Sequence, residues 1–184
     1  LGFGILLFGM AVCCYTAAPV KAAETDVPID NKTFPDATFL KYVGKFDKNG
    51  DGRLSESERN AVKEIVVNAD SFNSQTKITS LAGIEYFPNL TVLECERNSL
   101  TSLNVTKNTK LQELNCDRNQ LQSLDVSQNT KLEGLYVYNT QVTALDLSNM
   151  TNLTTLVCFN NNLTSLNISG DTALKKLSCD RNNL

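Results

Sequence analysis

The sequence of 184 residues contains no histidine and no tryptophan. The absence of histidine excludes Ser-His-Asp and Cys-His catalysis, together with every zinc site built on imidazole. The formal net charge is −3 at pH 7, and no run of lysine or arginine supplies the basic field that nucleic-acid phosphates require. We therefore expect a protein that is neither an enzyme nor a partner of nucleic acid.

The chain begins with an apolar run, LGFGILLFGMAVCC, that ends at Cys14 and is followed by small residues. This pattern predicts a secretory signal peptide over residues 1–23. An uncleaved anchor helix is less favoured, because Pro19 and Lys21 end the run below the roughly 20 residues that a membrane span requires. A lipoprotein signal, with Cys13 or Cys14 as the modified residue, is less favoured, because Val12 precedes Cys13 where lipoprotein signals usually have a small residue.

From residue 90 onward, apolar residues recur every 21 residues without a slip in the spacing. Each row reads L-x-x-L-x-C-x-x-N-x-L. One such row cannot enclose its own apolar side chains, whereas stacked rows bury a continuous core. The interval therefore predicts a solenoid of short parallel strands with little helix in its coils. Three columns of the pattern contain Leu90, Leu111, Leu132, Leu153 and Leu174, then Leu93, Leu114, Leu135, Leu156 and Leu177, and then Cys95, Cys116, Val137, Cys158 and Cys179.

The cysteine column predicts free thiols and not disulfides. Neighbouring positions of the column would lie one strand spacing apart, about 4.8 Å, with parallel Cβ vectors that suit bridging poorly. Val137 occupies the same position, which indicates a small apolar group. A further column offers side-chain amides to the backbone at each turn, from Asn98, Asn119, Asn161 and Asn182. Thr140 is the exception in this column, so the third coil is open to a different turn.

The row pattern resembles the leucine-rich repeat, with cysteine in place of one leucine. The segment Ile78–Leu90, ITSLAGIEYFPNL, is similar to the repeats of internalins, the surface proteins of Listeria. The resemblance covers residues 78–184. It implies an internalin-like leucine-rich-repeat solenoid on an exported bacterial surface protein, but it does not identify the ligand.

Residues 47–58 read DKNGDGRLSESE and meet every position of the EF-hand calcium loop. Calcium prefers six to eight oxygen ligands, which the loop would supply from side chains, one carbonyl and one bridging water. The flanking apolar residues are spaced as on two helices, so we expect residues 34–67 to form a helical EF-hand cap. A degenerate loop kept only as a helical hairpin is the alternative. The predicted ligands are Asp47, Asn49, Asp51, the Arg53 carbonyl, Ser55 through water, and Glu58.

The loop has no second copy in this sequence, although EF-hands usually occur in pairs. A single extracellular site needs an affinity of only roughly 10⁻⁴ to 10⁻³ M, so we expect calcium to stabilise the cap rather than to signal. We expect residues 24–33 to be a linker and residues 68–89 to be a transition with a first irregular repeat. Residues 90–184 would then be repeats that continue beyond this sequence. A dockerin-like docking module is less favoured, because dockerins carry two loops.

The positions facing solvent on the predicted strands form a candidate partner-binding face. Its middle rows carry Tyr136, Tyr138, Val157 and Phe159, and acidic residues of earlier rows, Glu94, Glu96 and Asp117, lie at its rim. Exposed aromatic residues rimmed by charge are typical of a contact site for a protein or a glycan. Drift of the repeats without selection for a ligand is the alternative interpretation.

Taken together, the sequence predicts a secreted or cell-surface bacterial protein that binds a protein or glycan partner through this face. Contact with a membrane would occur only through the signal peptide or an anchor outside this sequence. A non-catalytic accessory region of a larger secreted enzyme remains an alternative, because a catalytic domain would lie beyond residue 184.

Overall fold

The computed structural model of the chain describes residues 25–69 and 77–184. The signal peptide expected over residues 1–23 lies outside these ranges. The elements are β1 (Val27–Pro28), α1 (Ala37–Val43), a 3₁₀ turn (Gly44–Phe46), β2 (Arg53–Leu54), α2 (Glu56–Ala61), β3 (Glu64–Val66), a 3₁₀ turn (Ile84–Tyr86), β4 (Val92–Glu94), β5 (Glu113–Asn115), β6 (Gly134–Tyr136), β7 (Ala144–Asp146), β8 (Thr155–Val157), β9 (Ser165–Asn167) and β10 (Lys176–Ser178).

A parallel sheet runs along one side of the solenoid in the order β10-β8-β6-β5-β4-β3. Its register places Leu93 opposite Leu114, and the leucines of the later strands continue the same column. Leu93 and Leu114 have no solvent-exposed surface. Burial of each such side chain contributes roughly 1.5–3 kcal/mol. The predicted parallel-strand solenoid with little helix is thereby confirmed.

On the opposite side of the coils the chain is also extended, but it pairs less. Strands β7 and β9 form a short parallel sheet, and an isolated bridge joins Asn104 to Asp125. The leucine and valine side chains that alternate with these polar residues are buried, for example Leu103 and Val105. The solenoid therefore has a broad sheet on one side, called the sheet face below, and an outer side of short extended segments.

The asparagine column bonds to the backbone at the turns, as predicted, and it also connects adjacent coils. The side-chain amide of Asn119 donates to the carbonyls of Cys95, Cys116 and Asp117 at 3.0–3.2 Å. Its carbonyl oxygen accepts the amide of Leu100 at 2.9 Å. Asn98, Asn161 and Asn182 repeat this arrangement in their coils. Each of these side chains thus satisfies backbone groups of its own coil and of the coil before it.

A second asparagine column, which the sequence analysis missed, performs the same task on the outer side. The amide of Asn108 donates to the carbonyls of Ile84 and Phe87 at 2.9 and 3.0 Å, and both residues precede it by one coil. Asn129 donates to the carbonyls of Val105 and Asn108 in the same way. The repeated Asn-Thr dipeptide at residues 108–109 and 129–130 is the sequence signal that marks this column.

The helical pattern predicted up to residue 67 is wrong beyond Ala61, where α2 ends. Residues 64–66 form β3, the first strand of the main sheet, which pairs in parallel with β4. Ile65 and Val67 are buried, whereas Val66 between them is half-buried, and this is the alternation of a strand. Pairing with β4 outweighs the weak helical spacing of a short run of β-branched residues.

The elements from β1 to α2, called the N-terminal region below, pack against the end of the solenoid that β3 forms. The hydroxyl of Tyr42 accepts a hydrogen bond from the amide of Val66 at 3.1 Å. Asp36 caps α1 by accepting from the amides of Thr38 and Phe39, and its second oxygen accepts from the amide of Thr79 at 2.8 Å. These contacts cover the strand at the sheet edge. No helix among residues 25–69 and 77–184 is long and apolar enough to cross a membrane.

Candidate functional site

The sheet face carries two columns of side chains that the predicted partner-binding residues share. Glu94, Asn115, Tyr136, Val157 and Ser178 form the first column by strand register. The second column lies two residues further along each coil and contains Glu96, Asp117, Tyr138, Phe159 and Asp180. The structure therefore brings all seven predicted partner-binding residues onto one face.

The rings of Tyr138 and Phe159 stack on each other in the second column. Their centroids are 4.6 Å apart and their planes differ by 14°. Adjacent parallel strands are about 4.8 Å apart, so flat rings at equivalent positions of successive coils come into contact face to face. The guanidinium of Arg118 extends the stack, with its Cζ 6.0 Å from the centre of the Tyr138 ring. Both rings are half-buried, because each covers part of the other.

Two residues predicted to face solvent are buried instead. The relative solvent exposure of Val157 is 8%, and that of Asp117 is 1%. Asp117 lies between Glu96 and Tyr138 in its column, and these larger neighbours cover it. Its carboxylate accepts a hydrogen bond from the Tyr138 hydroxyl and lies 3.6 Å from Nε of Arg118. These two residues therefore lie beneath the sheet face and support its exposed side chains, and they are not part of its contact surface.

The acidic side chains of the face are held in a partly desolvated environment. Burial raises the pKa of Asp117 above its ordinary value, although the Tyr138 hydroxyl and the Arg118 guanidinium act in the opposite direction. Burial also raises the pKa of Glu96, and the neighbouring carboxylates of Glu94 and Asp117 raise it further. The hydrogen bond to Asp117 is the largest cause of a raised pKa at Tyr138. The face thus joins a stacked aromatic pair to a group of carboxylates that resist ionisation.

The loop at residues 47–58 is shaped by carboxylates that accept backbone hydrogen bonds. Asp47 accepts from the amides of Gly50 and Gly52 at 2.7 and 2.9 Å, and Asp51 accepts from the amide of Arg53 at 2.9 Å. Gly50 and Gly52 have φ angles of 73° and 76°, in the left-handed region that favours glycine. The glycines of the motif therefore stand where the loop requires them.

Glu58 connects the two ends of this loop. One of its oxygens accepts from the amide of Lys48 at 2.7 Å, and the other accepts from the amide and hydroxyl of Ser55. Ser55 in turn caps α2 by accepting from the amide of Glu58, which completes a capping box. Burial alone would raise the pKa of Glu58, but the hydrogen bonds from Ser55 and Lys48 together lower it below its ordinary value.

The donor set of the loop fits calcium chemically, since it consists of carboxylate, amide and carbonyl oxygens. In the described parts of the chain, however, no group of three or more acidic, cysteine or histidine side chains lies close enough to hold a metal ion. Asp47, Asp51 and Glu58 are turned toward backbone amides, and the Asn49 amide donates to Asp51 at 3.0 Å. Calcium binding would therefore require these carboxylates to come closer together.

The loop also has a pairing partner that the sequence analysis missed. Strand β2, within the loop, pairs antiparallel with β1, and the register joins Leu54 to Val27. The amide of Ile29 donates to the carbonyl of Gly52 at 3.0 Å. Residues 24–33 are therefore not simply a linker, because β1 pairs with the strand inside the loop.

The cysteines of the repeats are free, as predicted. Cys95, Cys116 and Cys158 are buried and Cys179 is half-buried. Desolvation raises the pKa of Cys158 to about 12 and raises those of Cys95 and Cys116 as well. A thiol with a raised pKa carries little thiolate, so these side chains pack as small hydrophobic groups.

Comparison with solved structures identifies the fold as an internalin-like leucine-rich-repeat fold. An internalin (InlF) of Listeria monocytogenes matches at 26% identity with a TM-score of 0.72, over 85% of this chain and 46% of that one. The functional domain of InlJ from Listeria monocytogenes, which is described as including a cysteine ladder, matches at 29% identity with a TM-score of 0.56, over 89% of this chain and 44% of that one. This chain therefore spans less than half the length of either internalin.

A more distant match shows the fold alone. A chain from the Toll–Spatzle complex of Drosophila aligns at 20% identity with a TM-score of 0.53, over 66% of this chain and 17% of that one. Comparison of the sequence with models of protein families and with curated proteins gave no match.

Proposed function

We propose that this chain belongs to an exported bacterial recognition protein and binds a protein partner through the sheet face. The stacked pair of Tyr138 and Phe159 carries this proposal. Aromatic side chains that present a rigid, half-exposed surface supply much of the binding energy in protein interfaces. The group of Glu94, Glu96 and Arg118 beside the stack supplies polar contacts at its rim.

The arrangement of the stack favours recognition over a purely structural role. Leucine and cysteine columns already fill the core beneath the sheet, so the fold does not need aromatic residues on its surface. The corresponding positions of the first two rows, Glu96 and Asp117, are acidic, which shows that the position accepts other side chains. Likeness to the internalins supports an exported, surface-located protein, and it is the basis on which we propose a bacterial source.

Calcium forms the second part of the proposal, in which it stabilises the N-terminal region. The ligands would be Asp47, Asn49, Asp51, the carbonyl of Arg53, Ser55 through water and Glu58. The pairing of β2 with β1 supports this role, because it ties the loop to the chain that precedes it. The hydrogen bond between Tyr42 and Val66 would then couple the stability of the N-terminal region to that of strand β3 at the sheet edge.

The partner-binding proposal is tested by affinity measurements on variants of the two sides of the solenoid. A partner isolated from host or neighbouring cells is titrated against the wild-type chain by calorimetry. Replacement of Tyr138 and Phe159 by alanine should weaken binding by about 30-fold or more, as expected for interface hot spots. A variant with Asn104→Ala and Asp125→Ala changes the outer side and should bind with unchanged affinity.

Two outcomes would contradict the proposal. Equal affinity of the wild type and the aromatic variant would remove the stack from the contact surface. Loss of binding in the outer-side variant alone would move the contact to the other side of the coils. The same titration with oligosaccharides in place of the protein would identify a glycan as the ligand.

A further inference from the structure

A hollow of about 290 Å³ lies on the sheet face around Gly134. It is separate from the stacked rings, because it is formed by the start of the strands and not by the second column. Its lining includes Gln112, Glu113, Glu133, Gly134, Tyr136 and Thr155. In register, Gly134 lies between Glu113 on β5 and Thr155 on β8, so the hollow spans three coils.

The hollow exists because glycine replaces a side chain. The equivalent position carries Val92, Glu113, Thr155 or Lys176 in the other coils, which shows that the strand itself does not require glycine. A Cβ atom at position 134 would lie 3.3 Å from Cε2 of Tyr136 and 3.8 Å from Cγ of Glu113. The missing side chain therefore lets the Tyr136 ring lie back along its own strand and form one wall.

The charges around the hollow are of one sign. Glu113 and Glu133 are both exposed and lie on its rim, and no lysine or arginine is among its lining residues. In the part of the chain that the structure describes, neither carboxylate forms an ion pair. The hydroxyl of Thr154 donates to the backbone carbonyl of Glu133 at 3.0 Å and not to its carboxylate. Two negative charges around a recess produce a local field that attracts a cation.

We propose that this hollow receives a lysine or arginine side chain of the protein partner. The apolar stem would lie over Gly134 and against the Tyr136 ring, and the charged head would lie between the carboxylates of Glu113 and Glu133. An aromatic ring and paired carboxylates are the groups that bind ammonium and guanidinium ions. The inference rests on the proposed function, since it names the chemistry of the partner at one point of the same face.

The test uses small probes, so it does not depend on the identity of the partner. The full chain is titrated with N-acetyl-argininamide and N-acetyl-lysinamide, and the backbone amide signals are followed by NMR. The signals of Glu113, Gly134 and Thr155 should shift in a saturable manner, with a dissociation constant on the order of 1 mM. N-acetyl-citrullinamide, which has nearly the shape of the arginine probe without its charge, and methyl α-D-glucopyranoside should produce no saturable shift.

Matched variants separate the hollow from general attraction between charges. Gly134→Thr places the side chain of the next coil in the hollow and should weaken binding of the cationic probes at least about tenfold. Glu113→Gln should weaken it to a similar extent, whereas Asp125→Asn makes the same change of charge on the outer side and should not. Unchanged signals of Asn119 in each variant would establish that the coils remain folded.

The inference is overturned if the neutral probes bind equally well, if no signal shifts, or if Gly134→Thr binds the cations as the wild type does. These results are distinguishable from failure of the proposed function. Loss of partner affinity on replacing Tyr138 and Phe159, with full affinity retained in Gly134→Thr, would support the function and reject the hollow. Binding of the cationic probes without any effect of the aromatic variant on the partner would do the reverse.

Discussion

The N-terminal region and the repeats satisfy their backbone groups with different side chains. In the N-terminal region the acceptors of backbone amides are charged, and the partners are mostly a few residues away; these acceptors are Asp30, Asp36, Asp47, Asp51 and Glu58. Between the coils of the repeats, buried neutral amides of asparagine do this work across 19 to 24 residues, as Asn119 shows. The stability of the first region should therefore respond to protons and cations, whereas the stability of the second should depend on shape and pairing.

The largest effect on stability should come from removing one side chain of the asparagine column that contains Asn119. In Asn119→Ala, three backbone carbonyls lose a donor and the amide of Leu100 loses its acceptor. Each buried group left without a partner costs about 1–3 kcal/mol, and some relaxation will occur, so the free energy of unfolding should fall by about 3–5 kcal/mol. Urea denaturation measures this change. Asn104→Ala, at an exposed position, is the control, and a similar loss there would contradict the assignment.

Calcium should stabilise the N-terminal region and leave the repeats unchanged. Free calcium at 100 times the dissociation constant should raise the stability of the N-terminal region by about 2.7 kcal/mol, and its melting temperature accordingly. Asp47→Ala should abolish the gain, whereas Asp125→Asn on the outer side should keep it. Scanning calorimetry with and without a chelator makes the measurement. A gain that survives Asp47→Ala would reject residues 47–58 as the binding loop.

Acidification should move the two regions in opposite directions. Glu58 has a pKa below its ordinary value of 4.5, so its contribution to stability is present above that value and is lost as the pH falls through the lowered pKa. Glu96 has a raised pKa, so its charged form opposes folding at neutral pH, and this penalty fades as the pH falls through the raised pKa. Glu58→Gln should therefore destabilise the protein at pH 7, and Glu96→Gln should stabilise it.

Denaturation at pH 7 and at pH 4 checks these signs. The effect of Glu96→Gln should shrink at pH 4, because the raised pKa of Glu96 favours its neutral form there. The effect of Glu58→Gln should largely persist at pH 4 and be lost only as the pH falls further, through the lowered pKa of Glu58. An NMR titration of both side chains gives the two pKa values directly. If Glu96 titrated below Glu58, the assignment of the two environments would be wrong.

The smallest effect on stability should come from extending the second asparagine column, on the outer side, to a coil that lacks it. Asp171 occupies the position of Asn108 and Asn129 in a later coil, and both of its carboxylate oxygens are buried without a hydrogen-bond partner in the described structure. Asp171→Asn would supply a donor where a carboxylate has none, and it should stabilise the chain by about 1 kcal/mol at pH 7. Asp180→Asn, at an exposed position, should change little. A destabilised Asp171→Asn variant would show that this coil turns differently.

The repeat fold could be predicted because its signal is redundant. Leu93 and its equivalents recur in every row, so no single substitution obscures the interval. The role of Asn119 followed from the same column and from the chemistry of an amide beside a turn. Strand β3 could not be predicted in this way, because Ile65 lies before the first full row and its pairing with β4 is a long-range contact.

The candidate site was predicted less completely, because the exposure of its side chains depends on residues in adjacent coils. The alternation of a strand indicates which way Asp117 and Val157 point, and it does so correctly, but exposure also depends on the size of the side chains in the adjacent coils. Tyr138 lies over Asp117, and no local pattern announces this contact. The hollow at Gly134 likewise depends on three coils together, so it is visible only once their register is known.

The identical register of the coils has a consequence for how such a chain evolves. Duplication, deletion or exchange of whole 21-residue units would preserve every leucine contact and most asparagine bonds, because each unit meets its neighbours through the same atoms. The stack of Tyr138 on Phe159 would not survive such shuffling, since it requires two particular units in sequence. Recombination of whole units would therefore change the aromatic surface of the sheet face without unfolding the chain, so under the proposed function the order of the units would determine the specificity.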